Sequence, residues 1–359
     1  MSNVIRFSSI NQYREIISTI NDIAKYHNLT TKPTLRFRGT VKLHGTNAAI
    51  VYSPNSDIMI QSRNNLYTLK DMNESRDASH MGFNEFAHRP EINIIVKHIY
   101  DTINNNSNNN NGIPKIIIYG EWAGKGIQRG VAISELDKAF YMFGIRIITN
   151  ESEKPESLDS GTWFDIANIK LPDIALNSHF YNLMDFKHWY LNIDFNDPKA
   201  IQNQLVSITN EVEQECPVAA ALNISGCGEG VVWQSEWITP GGTNKRLLFK
   251  VKGEKHSISK VKTLAEIDPE LHASTKSFIE YAVTENRINQ AISEVEQSKG
   301  LEPGKASVAD LGDLIRWVFK DILKEESDVI KASNLEVKNL SKAIGEKART
   351  LFLNKLALF

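Results

Sequence analysis

The 359-residue chain has little cysteine: only Cys216 and Cys227. Their spacing matches neither a zinc site nor a Cys-x-x-Cys redox pair, so neither chemistry is expected of them. The opening stretch Met1–Phe7 has no apolar core of the kind a secretory signal needs. The two thiols are therefore read as free, in a reducing, cytoplasmic compartment. No run of about 18 apolar residues occurs, which excludes a membrane-spanning helix. An excess of one charge is also missing. Lys and Arg number 41 and Asp and Glu 43, for a formal net charge of −2. Bulk charge thus announces no nucleic-acid partner, and any basic surface must be local. Neither a P-loop nor a Gly-x-Gly-x-x-Gly dinucleotide loop is present, which argues against those nucleotide-binding folds.

The length allows two domains, and the hydrophobic pattern divides accordingly. Tyr13, Ile16, Ile17, Ile20, Ile23 and Ala24 recur at helical spacing within Ser9–His27. Leu35–Thr40 alternates, and short strand-like runs follow at Asn47–Tyr52 and Ile58–Ser62, with turn residues Pro54-Asn55-Ser56 between the last two. These read as a strand meander. A helix is expected over Glu85–Ile103. The following run Asn104–Asn111, asparagine apart from Ser107, reads as a variable surface loop because it has nothing apolar to bury. Strands are expected at Ile116–Trp122 and Phe140–Ile148, then a mixed polar region to about Gly226. Gly230–Gln234 and Leu247–Val251 read as two more strands joined through Pro240-Gly241-Gly242. Beyond Lys262 the periodicity is helical. Phe278, Tyr281, Ala282, Ile288, Ala291, Ile292 and Val295 form one stripe. Ser307 with Asp310 reads as a capping box for a helix carrying Leu311, Leu314, Ile315, Val318 and Ile322, and Leu335–Phe359 reads as a last helix. The expected fold is α+β: residues 1–258 with largely antiparallel sheets and flanking helices, then an all-α domain over 259–359.

Lys42-Leu43-His44-Gly45-Thr46-Asn47 lies between two expected strands. Alone, Lys42 reads first as an exposed hairpin lysine. Other residues add to it. Glu121 ends the apolar run Ile116-Ile117-Ile118-Tyr119, and Glu229 with a permissive glycine precedes Val231-Val232. Lys250 and Lys252 share a strand face by the two-residue period. Two same-face lysines suit an anion between them, or else an edge strand protected from aggregation. Three lysines and two carboxylates on strands suit a triphosphate with a metal, since phosphoryl chemistry asks for positioning and charge neutralisation. A lysine amine also serves as a covalent nucleophile where its neutral form is favoured.

The order of these motifs resembles the covalent nucleotidyltransferase superfamily of DNA ligases, RNA ligases and capping enzymes. Its Lys-x-x-Gly motif is met by Lys42 and Gly45. Later motifs look like Phe140-Tyr141-Met142-Phe143, Glu229-Gly230-Val231-Val232 and Leu248-Phe249-Lys250-Val251-Lys252. Lys42-x-His44-Gly45-x-Asn47 narrows the resemblance to the RNA ligase 2 family of nick-sealing enzymes. Ser62-Arg63-Asn64, Gly120-Glu121-Trp122-Ala123-Gly124-Lys125-Gly126-Ile127-Gln128 and the helical stretch Tyr281–Asn289 support it. The resemblance implies an ATP-dependent RNA ligase used in RNA repair, working as a monomer in a cytoplasm, including a host cell's. Its substrate would be RNA with 3′-OH and 5′-phosphate ends, at nicks in duplex RNA.

Carried over by residue, Lys42 would take AMP from ATP as a lysyl–AMP phosphoramidate. Lys250 and Lys252 would hold the α-phosphate, Glu121 the ribose, and Arg63 the ribose or the incoming 5′-phosphate. Phe143 would stack on adenine. Glu229, and Asn47 through water, would support Mg²⁺ or Mn²⁺, with His44 assisting. Three positions depart from the family pattern. Val41 stands where Glu commonly precedes the nucleophile, Gly144 where an acid commonly follows the stacking residue, and Gln234 where a base is frequent. The competing readings are a DNA-nick ligase, a capping-type nucleotidyltransferase and a noncatalytic nucleic-acid end-binding protein. His44, where those first two usually have Asp, and the lack of a recognisable OB domain speak against them.

Overall fold

A computed structural model of the chain describes residues 4–54, 56–73, 76–106, 112–148, 162–236, 247–256, 274–301 and 304–356. It divides into two compact units, Met1–Val251 and Lys252–Phe359.

The first unit opens with β1 (Asn11–Gln12) and α1 (Tyr13–Tyr26). The Gln12 N–H donates to the Glu15 carboxylate at 2.6 Å, so an acid at the third helical position satisfies a donor at the helix start. The helical stripe read from the sequence buries Tyr13, Ile16, Ile20 and Ala24. Then come β2 (Thr34–Lys42), β3 (Thr46–Tyr52), β4 (Met59–Ser62) and β5 (Leu66–Tyr67). The expected meander fails between β2 and β3. β2 belongs to a five-stranded sheet and β3 to a seven-stranded one, so Leu43–Gly45 is a crossing between sheets rather than a hairpin turn. Alternation in a sequence reports a half-buried strand but does not name its partner.

The helix expected over Glu85–Ile103 is two helices, α2 (Phe83–Ala87) and α3 (Pro90–Asn105). Pro90 explains the break. It lacks an N–H and drives Arg89 into extended backbone (φ −64°, ψ 144°), which suits the first turn of a new helix. Asn104 and Asn105 finish α3, whereas residues 107–111 of the asparagine run lie outside the described residues.

β6 (Lys115–Ala123), β7 (Ala139–Ile148), β8 (Thr162–Phe164) and β9 (Phe180–Asn182) complete the second sheet. Its order is β5-β4-β3-β6-β7-β8, with β9 parallel to β7. Ile50, Ile60, Ile118 and Phe140 cover one face and pack on Phe83, Phe86, Ile95 and Ile99 of α2 and α3. Ala49, Val51, Ile117 and Tyr119 form a second cluster with Trp163. Burial on both faces accounts for the unbroken apolar run in β6.

The polar region before Gly226 holds α4 (Ile174–Asn177), β10 (His188–Asp194), α5 (Gln202–Gln214) and α6 (Pro217–Ala221). Of these β10 is the notable addition. As the edge strand against β2 it keeps both faces partly wet, which hides its period. β11 (Gly230–Ser235) and β12 (Leu248–Lys252) finish the five-stranded sheet, in the order β1-β12-β11-β2-β10. The expected turn at Pro240–Gly242 lies outside the described residues. Phe249 packs on Tyr13, Phe37 and Trp233 at ring separations of 4.9, 5.3 and 6.3 Å, so these odd positions of β2, β11 and β12 share one face, packed with α1.

The second unit contains α7 (Thr275–Ala282), α8 (Glu285–Ser298), α9 (Leu311–Glu325), α10 (Ser327–Ala332) and α11 (Val337–Leu356). The stripe Phe278–Val295 is thus two helices, broken at Val283–Thr284. The Ser307–Asp310 box is present: the Ser307 N–H donates to Asp310 Oδ2 at 2.8 Å. Phe278, Ile288, Val295, Leu314, Val318, Ile344 and Phe352 share one core.

Candidate active site

Lys42 is the last residue of β2. Its register partner Gly230 follows Glu229 directly. This pairing carries the acid to the lysine across 187 residues of sequence. Lys42 Nζ donates to Glu229 Oε2 at 2.7 Å, and His44 Nδ1 lies 3.3 Å from the same oxygen. Glu229 is 2% exposed and the Lys42 side chain 19%. A buried carboxylate costs several kcal/mol unless it is paired, so these partners make Glu229 tolerable. They also leave Lys42 with a route to solvent. An amine attacks only in its neutral form, so Lys42 can act as a nucleophile only after a proton leaves Nζ.

Gly45 has a steric reason. A Cβ there would sit 2.4 Å from the Trp122 carbonyl and 2.9 Å from Glu121 Cγ. The absence of a side chain lets the crossing loop lie against β6, where the Gly45 N–H donates to Glu121 Oε1 at 3.0 Å. Asn47 opposes Glu121 in the β3–β6 ladder. The crossing from Lys42 to Gly45, Asn47 and Glu121 are therefore held together by backbone geometry.

Lys250 and Lys252 are half-buried on β12, while Phe249 and Val251 between them are buried. Phe249 faces Phe37 and Trp233, so alternation puts Lys250 on the opposite face of the sheet, the one that carries Lys42. Lys252 follows on the same side of β12. Phe143, on β7, is half-buried, packs against the cluster of Ala49, Val51, Ile117 and Tyr119, and meets Phe7 at 4.8 Å. Near it, Arg38 of the Lys42-bearing face bonds Asp165 at 2.8 Å, and Arg38, Phe143, Trp163, Asp165 and Gln234 line a pocket. Arg63 is exposed in a turn closed by Ser62 N–H to Asn65 O at 2.9 Å. Among the described residues it takes no part in the contacts around Lys42.

His80 is a residue the sequence did not flag. Its Nε2 lies 3.1 Å from the Asn47 carbonyl, just past the point where β4 leaves β3. Burial pushes its imidazole below the usual 6.5, against the opposing bond to Asn47. His80, Met81 and Gly82 are all left-handed, with φ of 46°, 60° and 90°. Such backbone costs a non-glycine residue about 1–3 kcal/mol and needs outside support. Trp122 Nε1 and Lys138 Nζ supply it by donating to the Met81 carbonyl, at 3.3 and 2.9 Å. Only Gly82 hints at this turn in the sequence.

Among the described residues no cluster of three or more His, Cys, Asp or Glu is placed to hold a metal. That donor set fits a small hard cation only in one mode: one carboxylate, Glu229, with water and phosphate oxygens completing the shell, as Mg²⁺ prefers. Both cysteines are free, with Cys216 buried. Among the described residues no helix is long and apolar enough to cross a membrane.

No curated protein sequence matches the chain. Among solved structures, a Naegleria gruberi RNA ligase variant with ATP and Mn is 15% identical with a TM-score of 0.40, covering 70% of this chain and 56% of that one. A variant with AMP and Mn is 14% identical with a TM-score of 0.38, covering 69% and 56%. The same ligase with PPi is 14% identical, with a TM-score of 0.35 and the same coverage. The chain thus spans little more than half the length of these structures. The RNA ligase family model matches residues 36–252, from within the Lys42 strand β2 to Lys252 at the end of β12, more than half of the sequence. The chain belongs to the RNA ligase family.

Proposed function

We propose that this protein is an ATP-dependent RNA ligase that joins 3′-OH and 5′-phosphate RNA ends, at nicks in duplex RNA, through lysyl–AMP. The observation that carries the reading is the cluster of Lys42, His44 and buried Glu229, with Lys250 on the same sheet face. Membership of the RNA ligase family supports it, and the ATP and AMP complexes of the Naegleria ligase agree with it.

Lys42 Nζ gives up a proton and attacks the α-phosphorus of ATP. The N–P bond forms as the bond to the bridging oxygen breaks, and pyrophosphate leaves. Glu229 Oε2, 2.7 Å from Nζ, is within proton-transfer reach. Lys250 and Lys252 neutralise the charge that develops on the α-phosphate. Glu121, fixed by the Gly45 N–H, accepts from the ribose, and Phe143 stacks on adenine. An RNA 5′-phosphate oxygen then attacks the same phosphorus and releases Lys42, giving an adenylylated end. The 3′-OH attacks the 5′-phosphorus, and AMP departs. A divalent cation at Glu229 and Asn47 would supply charge neutralisation for the phosphates. Arg63, exposed beyond β4, contacts the incoming end.

Incubation with α-labelled ATP and Mg²⁺ tests the first step: the wild type takes label and Lys42→Ala does not. Ligation of nicked duplex RNA, nicked DNA, hybrids and single strands tests the substrate. Absence of label on the wild type, or equal label on both proteins, overturns the reading.

A further inference from the structure

The segment before β1 is tied onto the seven-stranded sheet. The Ile5 N–H donates to Gln61 Oε1 at 3.1 Å, Gln61 Nε2 donates to the Ile5 carbonyl at 2.8 Å, and the Tyr119 hydroxyl donates to the same carbonyl at 2.7 Å. Gln61 is 1% exposed and Tyr119 fully buried. Burial also drives the Tyr119 phenol far above its ordinary range, so it stays a donor. A buried amide that pairs with both groups of one backbone residue fixes the position of that residue. Phe7, two residues on, is thereby brought among three rings. It lies 5.3 Å from Tyr119, 4.8 Å from Phe143 and 5.5 Å from Trp163, the last two nearly edge-to-face at 69° and 85°.

Phe143 needs such support. The β6–β7 register steps from Tyr119↔Gly144 to Gly120↔Met142, which leaves Phe143 as the extra residue of a β-bulge. A bulge re-aims a side chain and removes it from the ladder that would hold its neighbours. Gly144 lies beneath the Phe7 ring. A Cβ there would be 3.1 Å from Phe7 Cε2 and 3.5 Å from Trp163. A side chain at 144 therefore presses on the Phe7 ring, which must give way by a few tenths of an ångström for the Cβ alone. The glycine that departs from the family pattern is thus matched by a ring from the other end of the domain.

We propose that Phe7 is a positioning residue for nucleotide binding: seated over Gly144, it packs edge-to-face with Phe143 and holds that ring in the orientation that receives the adenine. This rests on the reading that Phe143 stacks on the base. A Phe143 ring free to turn about its bulged backbone offers the base a less preorganised surface, which weakens ATP binding and leaves the phosphoryl chemistry at Lys42 unchanged.

Single-turnover lysyl–AMP formation over a range of ATP concentrations tests this on the full chain. Phe7→Ala raises the half-saturating ATP concentration about five- to tenfold, the size of one aromatic pair, with the saturating rate within about twofold. Phe7→Tyr restores ATP binding. Gly144→Asp gives the same defect by unseating Phe7, and Phe7→Ala/Gly144→Asp is no worse than the worse single variant, because both act through one ring. Gly144→Ala, which adds only the Cβ and needs a small shift, gives a milder rise and serves if Phe7→Ala unfolds at the assay temperature. Unchanged ATP dependence, a fall in the saturating rate alone, or additive defects in the double variant overturn the proposal. A wild type that takes no label sinks the ligase reading itself, whereas a labelled wild type with indifferent Phe7 and Gly144 variants sinks only this inference.

Discussion

Lys42 and Glu229 meet at 2.7 Å because Lys42 pairs with Gly230 across β2 and β11. The pair joins the residue expected to attack with the most buried acid near it. Glu229→Gln keeps the shape and a hydrogen-bonding oxygen but removes the charge. Lysyl–AMP formation then falls by about a hundredfold or more, the scale of losing an electrostatic group at a reacting centre, while thermal stability changes little. Rapid-quench labelling with α-labelled ATP, beside a melting curve, checks both halves. A variant that labels at the wild-type rate removes Glu229 from the chemistry.

Gly45 is held to β6 by space rather than by an unusual φ. Gly45→Ala drives a methyl carbon to 2.4 Å from the Trp122 carbonyl. The loop must lift, and the bond from Gly45 N–H to Glu121 is lost. The expected cost is about 1–3 kcal/mol in stability, with lysyl–AMP formation largely abolished. Gly312→Ala, on α9 with nothing within 4 Å of its Cβ, is the control. It is neutral or slightly stabilising, as alanine is in a helix. Equal labelling by Gly45→Ala and wild type contradicts the role assigned to the loop.

β2 could be read from its alternation, β6 and β7 from unbroken apolar runs that are buried on both faces, and the C-terminal helices from their one-sided apolar stripes. Lys42, Glu121, Glu229 and Lys250 were legible because motif order constrains them even when their partners are not visible. What stayed hidden depends on pairing between distant segments. The split of β2 and β3 into two sheets, the arrival of Glu229 at Lys42, the seat of Phe7 over Gly144 and the contact of His80 with Asn47 leave no local pattern. Pro90, by contrast, was a visible break signal inside an expected helix, and its effect is the ordinary one of a proline at a helix start.

His80 gives stability a pH dependence of predictable sign. Burial holds its folded pKa below the usual 6.5, so between the two values the unfolded chain binds the proton and the folded chain does not. Stability is then fully present above about pH 6.5 and is lost as pH falls through the folded pKa. His80→Gln keeps a donor for the Asn47 carbonyl without a group that titrates. Subtracting its melting profile from the wild-type profile cancels the other histidines. A difference growing toward acid is expected, and a flat one refutes the account.

In the C-terminal unit, Arg287 lies in the Tyr281–Asn289 stretch that supports the family resemblance, and its contacts there are structural. Its side chain is fully buried, with Nε donating to Asp321 at 2.9 Å and Nη2 to Glu326 at 3.2 Å. A third nitrogen donates to the Ala282 carbonyl, and the Tyr281 hydroxyl donates to the other Glu326 oxygen at 2.7 Å. Glu326, also fully buried, stands at the junction of α9 and α10. Arg287→Met removes the charge that compensates Glu326 while filling similar space. The penalty should be about 3–5 kcal/mol, the usual cost of breaking one side of a buried pair. Adding Glu326→Gln should recover part of it, because a neutral amide needs no counter-ion. Urea denaturation of the full-length chain, followed by helix circular dichroism, measures both. A single-variant cost below about 1 kcal/mol, or a double variant as costly as the sum of the singles, means that Arg287 acts by packing and not by charge.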